Sequence, residues 1–290
     1  MRIYGVDFTC APRRAKPITA ALGALEGKTL LIDEVERLQS LTEFESLLER
    51  PGPWVGGFDF PFSLPQELVR DLGWPAPWKA LVRHCASMTR QEFRAALDAY
   101  RNTRAVGSRY AHRATDLPAG SSSPMKLVNP PVALMFHEGA PRLLLSRAHV
   151  PALINGDATR VALEAYPGLL VRKQLGVRES YKSDTRSEHT PARAAVRAGV
   201  IEALKAGRPL GISLRTTLDL VTDGSGDTLD AVICAVQAAW AAKRPRYGLP
   251  LRVPAGEGWI LTAAPTSASP PERDRSPSRA CRSAQGATPR

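Results

Sequence analysis

The chain opens with Arg2-Ile3-Tyr4-Gly5-Val6-Asp7-Phe8-Thr9, a run of largely apolar, β-favouring residues that leads straight into an aspartate. The next residues, Cys10-Ala11-Pro12, break the predicted strand. Asp7 is therefore expected at the end of a buried strand, where a carboxylate that faces the loops can bind a metal ion or position a phosphate. Taken alone, Asp7 can equally be a cap on the turn into Pro12.

Two further strands are predicted at residues 17–25 and 28–38, with a tight turn at Glu26-Gly27 between them. Together with the opening strand they suggest an antiparallel meander. A helix is predicted at residues 41–49. The next segment, Trp54-Val55-Gly56-Gly57-Phe58-Asp59-Phe60-Pro61-Phe62, has the pattern of a short strand that ends in an acid before a proline. It repeats the arrangement seen at Asp7.

Helical spacing accounts for much of the remaining chain, and the predicted helices cover residues 65–72, 77–85, 90–100, 130–145, 169–175, 190–205 and 213–220. A long polar stretch at residues 101–129 interrupts them, and such a loop in a compact domain is usually functional or disordered. A third strand, Val161-Ala162-Leu163-Glu164-Ala165-Tyr166-Pro167, again carries an acid shortly before a proline.

A late helix is predicted to start near Asp227 and to run to about residue 242. Asp227 and Asp230 lie three residues apart, so they share a face in the first turn, where the helix dipole favours anions. The alternative is that the two residues are only a cap and a first-turn acid.

Five acids thus occur in settings that can converge: Asp7, Asp59, Glu164, Asp227 and Asp230. Clustered carboxylates repel one another and raise one another's pKa unless a cation neutralises them. Such a cluster implies a hard divalent metal, most naturally Mg²⁺ or Mn²⁺. In a two-metal site the ions activate the attacking water and stabilise the leaving oxygen of a phosphodiester. Asp59 and Glu164 can alternatively be turn residues, since a proline follows each.

The composition indicates a soluble globular protein. The chain has 290 residues, 43% of them hydrophobic, which is enough for a substantial core. Its 39 Lys and Arg outnumber 28 Asp and Glu, and the net charge of +11 favours a polyanionic partner such as nucleic acid.

The start of the chain leaves no room for the apolar core of a signal peptide, and the longest apolar stretch, residues 231–242, is too short to span a bilayer. The four cysteines have no CxxC pair or disulfide-like spacing. We therefore expect a cytoplasmic protein with reduced thiols, no membrane partner and no evident obligate protein partner.

Five stretches of the sequence resemble the signatures of the family called domain of unknown function 429. They are Gly5-Val6-Asp7-Phe8-Thr9-Cys10-Ala11-Pro12, Gly56-Gly57-Phe58-Asp59-Phe60-Pro61-Phe62, Ser122-Ser123-Pro124-Met125-Lys126-Leu127-Val128-Asn129-Pro130-Pro131, Leu163-Glu164-Ala165-Tyr166-Pro167 and Gly226-Asp227-Thr228-Leu229-Asp230-Ala231. The family is described as predicted nucleases of the ribonuclease H-like superfamily. The resemblance extends over about residues 1–261.

The resemblance implies an α/β fold with a ribonuclease H-like mixed sheet, in which three antiparallel strands are followed by parallel strands and helices flank both faces. The corresponding domain is residues 1–262, with a helical and loop insertion at about residues 65–155. The remaining residues, 263–290, are predicted to be a disordered basic tail rich in Pro, Ser and Arg. In the superfamily, metal is held by acids that resemble Asp7, Asp59 and the Asp227/Asp230 pair. Whether Glu164 joins them or replaces one of them stays open.

The insertion is the best candidate for substrate recognition. Phosphate contacts are predicted for Arg109, His112, Arg113 and Lys126, and base stacking for Tyr110. A solvated loop with incidental charge is the alternative. Lys182 can neutralise a phosphate near the acids or be an ordinary surface lysine. Thr9, beside Asp7, is a further substrate-binding candidate.

The leading functional hypothesis is a metal-dependent nuclease in which Asp7, Asp59, Asp227 and Asp230 hold the metal and Glu164 is a further ligand or a base that orients water. One alternative is an ATP-dependent phosphotransferase of the related actin-like fold, although the opening strand lacks the small Gly-Thr turn that cradles phosphates. Another is a nucleic-acid-binding module without turnover, but a binder of polyanions gains nothing from clustered negative charge.

Overall fold

The opening strand, β1 (Arg2–Asp7), lies inside a seven-stranded mixed sheet in the computed structural model, which describes residues 1–265. The other strands are β2 (Ile18–Glu26), β3 (Thr29–Leu38), β4 (Trp54–Asp59), β5 (Ala148–His149), β6 (Asp157–Glu164) and β7 (Ser213–Arg215). The strand order is β5-β6-β4-β1-β2-β3-β7.

The first three strands form the predicted antiparallel meander, since β1 pairs with β2 and β2 pairs with β3. The turn between β2 and β3 is as tight as expected because Gly27 adopts a φ of 58°, a conformation that glycine reaches at little cost. On the other side of β1 the sheet is parallel, through β4, β6 and β5. The α/β class and the order of antiparallel and parallel strands are thereby confirmed.

Helices cover both faces of the sheet. They are α1 (Leu41–Leu48), α2 (Gln66–Asp71), α3 (Trp78–Ala86), α4 (Arg90–Asn102), α5 (Asp116–Ala119), α6 (Val132–Ser146), α7 (Pro191–Lys205) and α8 (Asp227–Ala242), with a π-helical segment at Leu169–Gln174 and 3₁₀ turns at Arg186–Glu188 and Pro245–Gly248. One face carries α1 to α4 and α6 around a cluster of aromatic side chains that includes Phe44, Phe58 and Phe60. The opposite face carries α7 and α8.

Parts of the secondary structure differ from the sequence-based expectation. The helix predicted at residues 213–220 is wrong, because Ser213–Arg215 form β7 and pair in parallel with β3. This pairing satisfies backbone groups at the edge of β3, as in the hydrogen bond from the Ser213 amide to the Lys28 carbonyl at 2.9 Å. The short strand β5 was not predicted at all.

The C-terminal part of the described chain packs on the domain. Ala263 is buried in a small cluster with Trp259 and Ile260, and a parallel bridge joins Ile260 to Glu164. The predicted disordered tail lies outside the described residues, apart from residues 263–265. Within residues 1–265, none of the helices combines the length and the apolar character needed to cross a membrane.

Candidate functional site

Two of the predicted acids lie side by side at the carboxyl ends of neighbouring parallel strands. Asp7 and Asp59 are Cα partners in the β1–β4 register, so both side chains project from the same face of the sheet. Both are partly buried, and neither carboxylate accepts a hydrogen bond from a described residue. Burial and the nearby charge of Asp230 raise the pKa of Asp7 well above its ordinary value and that of Asp59 to about 7.

Helix α8 brings a third acid to this edge of the sheet. It crosses β1 and β4 at glycine positions: a Cβ on Gly5 would lie 2.0 Å from the Ala231 carbonyl oxygen, and one on Gly57 would lie 2.4 Å from that of Cys234. Because no side chain intervenes, the helix lies directly on the strands. Asp230 is consequently fully buried.

Asp230 is held by two neighbouring residues of the segment before α7. The Tyr181 hydroxyl donates a hydrogen bond to Asp230 Oδ1 at 2.5 Å, and the Lys182 ammonium pairs with Asp230 Oδ2. Burial lowers the pKa of Lys182, but the charges of Asp230, Tyr181 and Asp7 outweigh that effect and raise it well above its ordinary value. Lys182 is therefore a fixed positive charge among the acids.

Asp227, one turn earlier on α8, has its own lysine. Lys16 Nζ lies 2.9 Å and 3.0 Å from the two carboxylate oxygens of Asp227 and 2.7 Å from Asp184 Oδ1. Burial lowers the pKa of Lys16, yet its hydrogen bonds to Asp184 and Asp227 raise it overall. The two acids of α8 are thus each neutralised by a lysine from a different loop.

The loop before α8 is built to present these acids. Asp223 accepts hydrogen bonds from the backbone and hydroxyl groups of Ser225 and Thr228, at 2.6 Å to 3.1 Å. Although burial raises its pKa, these hydrogen bonds lower it to about 2. Gly226, with a φ of 77°, makes the turn into the helix.

Glu164 lies on the other face of the sheet. Its register partner is Phe58, one residue before Asp59, and successive side chains of a strand alternate between faces. Its carboxylate accepts a hydrogen bond from the Phe62 amide at 3.0 Å and two from Arg113, at 2.6 Å and 2.7 Å. Burial nevertheless raises the pKa of Glu164. The acid is thus engaged apart from the Asp7 and Asp59 pair.

Arg113 does not have the predicted role of a free phosphate contact. Only 2% of its side chain is exposed, and its guanidinium donates to Glu164, to Asp116 and to the Glu257 carbonyl. These contacts occupy all five of its N–H donors. Arg113 instead anchors the polar stretch of the insertion to β6.

A cavity of about 850 Å³ opens over the acids. Its lining includes the following predicted site residues: Asp7, Thr9, Asp59, Arg113, Lys126, Glu164, Lys182 and Asp227. Asp230 is fully buried and is not among the lining residues. Arg109, Tyr110 and His112 are not among the lining residues, and the Tyr110 hydroxyl accepts a hydrogen bond from Arg101 at 2.9 Å. The structure therefore brings eight of the predicted residues to one cavity and leaves four outside its lining.

Several residues of the site were not among the predicted ones, and three of them hold the predicted residues directly. Tyr181 directly precedes Lys182, and that adjacency was a usable signal. Asp116 lies in the polar stretch already singled out, three residues after its partner Arg113. No local sequence pattern indicates that Lys16 belongs to the site, because its partner Asp227 is 211 residues away along the chain.

The acids fit a divalent cation in part. Asp7 and Asp59 fit it, since both are adjacent carboxylates without hydrogen-bond donors and with raised pKa values. Asp227 and Asp230 are neutralised by lysines instead. Accordingly, no set of three or more His, Cys, Asp or Glu side chains in residues 1–265 is arranged around a common metal position.

Comparison of the chain with protein-family models, with curated proteins and with solved structures gave no match in any of the three.

Proposed function

We propose that this protein is a metal-dependent phosphodiester hydrolase of the ribonuclease H-like type, and that it is a nuclease of the domain of unknown function 429 family. The observation that carries the proposal is the pairing of Asp7 with Asp59 across two parallel strands, beside the buried Asp230 and under an open cavity. Their raised pKa values are the expected state of carboxylates that lack a neutralising cation.

The position of the sequence signatures supports the same proposal. All five stretches that resemble the family contribute lining residues to the one cavity, including Asp7, Asp59, Lys126, Glu164 and Asp227. The stretches are far apart in the chain, so their convergence is a property of the fold. The antiparallel meander followed by parallel strands also agrees with the architecture that the resemblance implies.

In this proposal Asp7 and Asp59 would hold the cation, with Asp230 as the adjoining acid. When bound, a divalent cation supplies Lewis-acid activation of water and of the phosphodiester. Tyr181 fixes the orientation of Asp230 through its hydrogen bond. Lys182 places a positive charge at the acids, where it can attract a phosphate group. The buried ion pair of Glu164 and Arg113 connects the sheet to the insertion.

The test is cleavage by the purified full chain. With Mn²⁺ or Mg²⁺, it should cut at least one substrate in a panel of single-stranded, duplex, hybrid and branched DNA and RNA. Asp7→Asn should abolish cutting because it removes a carboxylate from the pair, and its melting curve should show that it still folds. Inactivity of the folded wild-type protein across the whole panel with both metals would contradict the proposal.

The ion pairs of α8 favour a second candidate function, a nucleic-acid-binding module without turnover. Lys16 and Lys182 neutralise Asp227 and Asp230 without any metal, so the acids can serve to position two basic side chains. This candidate predicts tight, salt-sensitive binding of oligonucleotides with no cleavage. It also predicts that Asp7→Asn leaves the affinity for oligonucleotides in EDTA unchanged or increased.

A further inference from the structure

We infer that the cavity takes a single nucleic-acid strand, with one base held against Tyr166, and that it excludes a continuous duplex. This inference rests on the proposed function and names the substrate class of the same site. Three features of the cavity support it: its volume and lining, its additional positive side chains, and an aromatic side chain whose hydroxyl has no hydrogen-bond partner among residues 1–265.

The cavity has the volume of a ligand pocket. Its 850 Å³ lies within the range of about 300–1,000 Å³ that is typical of pockets for small molecules. A double helix is wider than its own major groove, which is about 12 Å wide, so a continuous duplex does not fit inside such a volume. Its lining includes Lys126 and Met135 of the insertion and Arg178 and Lys182 of the segment after β6. We expect one strand to enter between these two segments, without room for its paired complement.

Further positive side chains line the cavity in addition to the lysines that pair with the acids. Lys126 comes from the insertion, and Arg172 comes from the π-helical segment. Neither side chain forms a hydrogen bond or an ion pair within residues 1–265. These two cations come from separate segments of the chain and line the same cavity as the acids, so they can contact the phosphates of a strand that is held at the acids.

Tyr166 provides a surface for a base. Its side chain is partly exposed and lines the cavity. The ring packs over Gly168, where an added Cβ would lie 2.6 Å from the ring carbon Cζ. The hydroxyl donates no hydrogen bond to a described residue. Pro131 and Met135 add apolar surface to the same cavity. A partly exposed aromatic ring that lines such a cavity is the usual platform on which a single-stranded base stacks.

The first experiment compares single-stranded and blunt duplex oligonucleotides of one sequence, cut by the full chain with Mn²⁺. We expect the single strand to be cut at least ten times faster. Equal or faster cutting of the duplex would overturn the inference and leave the proposed function intact. Absence of all cutting would contradict the proposed function, and the binding measurement below would then decide the inference alone.

The second experiment measures binding by fluorescence anisotropy with the Asp7→Asn protein as background. The single strand should bind at least tenfold more tightly than the duplex. Tyr166→Leu, which keeps the bulk of the side chain but removes the ring, should weaken single-strand binding about tenfold. Its salt dependence should not change. An unchanged affinity in Tyr166→Leu, or tighter binding of the duplex, would contradict the inference.

Charge variants test the walls separately. Lys126→Ala and Arg172→Ala should each reduce the slope of log K against log salt by about 0.7, the value for one contact to a single-stranded phosphate. Lys79→Ala is the matched control, because Lys79 is exposed on α3 and does not line the cavity. If Lys79→Ala lowers the slope as much as Lys126→Ala does, the strand binds outside the cavity and the inference is wrong.

Discussion

The guanidinium of Arg113 donates a hydrogen bond to each carboxylate oxygen of Glu164, at 2.6 Å and 2.7 Å. Neither side chain is more than 4% exposed. Asp116, which is also buried, accepts hydrogen bonds from Nε and Nη2 of the same guanidinium. A buried cation thus balances two buried anions, and it ties the polar stretch of the insertion to the end of β6.

Removing this cation should therefore destabilise the protein strongly. We expect Arg113→Met to lower the free energy of unfolding by about 3–5 kcal/mol, because Glu164 and Asp116 would remain buried without a partner. Urea unfolding measures the change. Arg83→Ala, an exposed arginine on α3, is the control and should change stability by less than about 0.5 kcal/mol. A loss below about 1 kcal/mol for Arg113→Met would show that the network is dispensable.

The pair of Asp7 and Asp59 predicts an unusual dependence of stability on pH. The pKa of Asp59 is raised to about 7 in the folded protein, against about 4 in an unfolded chain. Between pH 4 and pH 7 the Asp59 carboxyl group has lost its proton in the unfolded chain but keeps it in the folded protein. The stability that the protonated group contributes is therefore fully present below pH 4 and is lost as the pH rises through 7. Asp59→Asn should raise the stability of the metal-free protein at pH 8, by on the order of 2–4 kcal/mol.

Thermal unfolding in EDTA at pH 5 and pH 8 tests this prediction. The advantage of Asp59→Asn over the wild type should be present at pH 8 and much smaller at pH 5. Added Mn²⁺ should raise the melting temperature of the wild type at pH 8 but not that of Asp59→Asn, because the variant lacks the carboxylate. Glu26→Gln, an exposed acid of β2, should behave like the wild type throughout. A variant no more stable than the wild type at pH 8 would contradict the raised pKa.

Close approach of α8 to the sheet predicts a contrast between two glycines. Gly5→Ala should destabilise the protein by about 1–3 kcal/mol, since its Cβ would lie 2.0 Å from the Ala231 carbonyl oxygen and push the helix away. Gly199→Ala should stabilise it by about 0.5–1 kcal/mol, because Gly199 is an exposed residue of α7 with open space around it. Chemical denaturation of both variants provides the comparison. Equal effects would mean that α8 does not depend on contact with β1.

Part of this site follows from local sequence pattern, and part does not. The strands that end in Asp7 and Asp59 were predicted correctly, because each is a short apolar run that ends in an acid, and the pattern is contained within a few residues. The face on which Glu164 lies depends on the register between β6 and β4, and a shift of one residue reverses that face. No pattern within β6 encodes its register with another strand.

Long-range pairing explains the other differences. The segment at residues 213–220 has helical spacing, yet Ser213–Arg215 pair with Thr29–Leu31 of β3, a separation of 184 residues (213 − 29). Arg113 lies in a polar stretch that is typical of a solvated loop, yet besides the nearby Asp116 it contacts two distant partners, Glu164 and Glu257, in the interior. Such contacts are properties of the assembled fold, so they could not be read from composition or spacing.

Lys182 provides a final test, because its two expected effects have opposite signs. Its ammonium pairs with Asp230 and contributes to the potential at Asp7, so it competes with any cation that binds the acids. We expect Lys182→Met to bind Mn²⁺ about three- to tenfold more tightly in isothermal titration calorimetry. The same variant should cut nucleic acid more slowly, because a positive charge that attracts the phosphate is lost. Lys79→Met should change neither quantity. Weaker binding of Mn²⁺ by Lys182→Met would contradict this prediction and show that the lysine supports the metal site. The ion pair between Lys182 and Asp230 would then have to persist when the metal is bound.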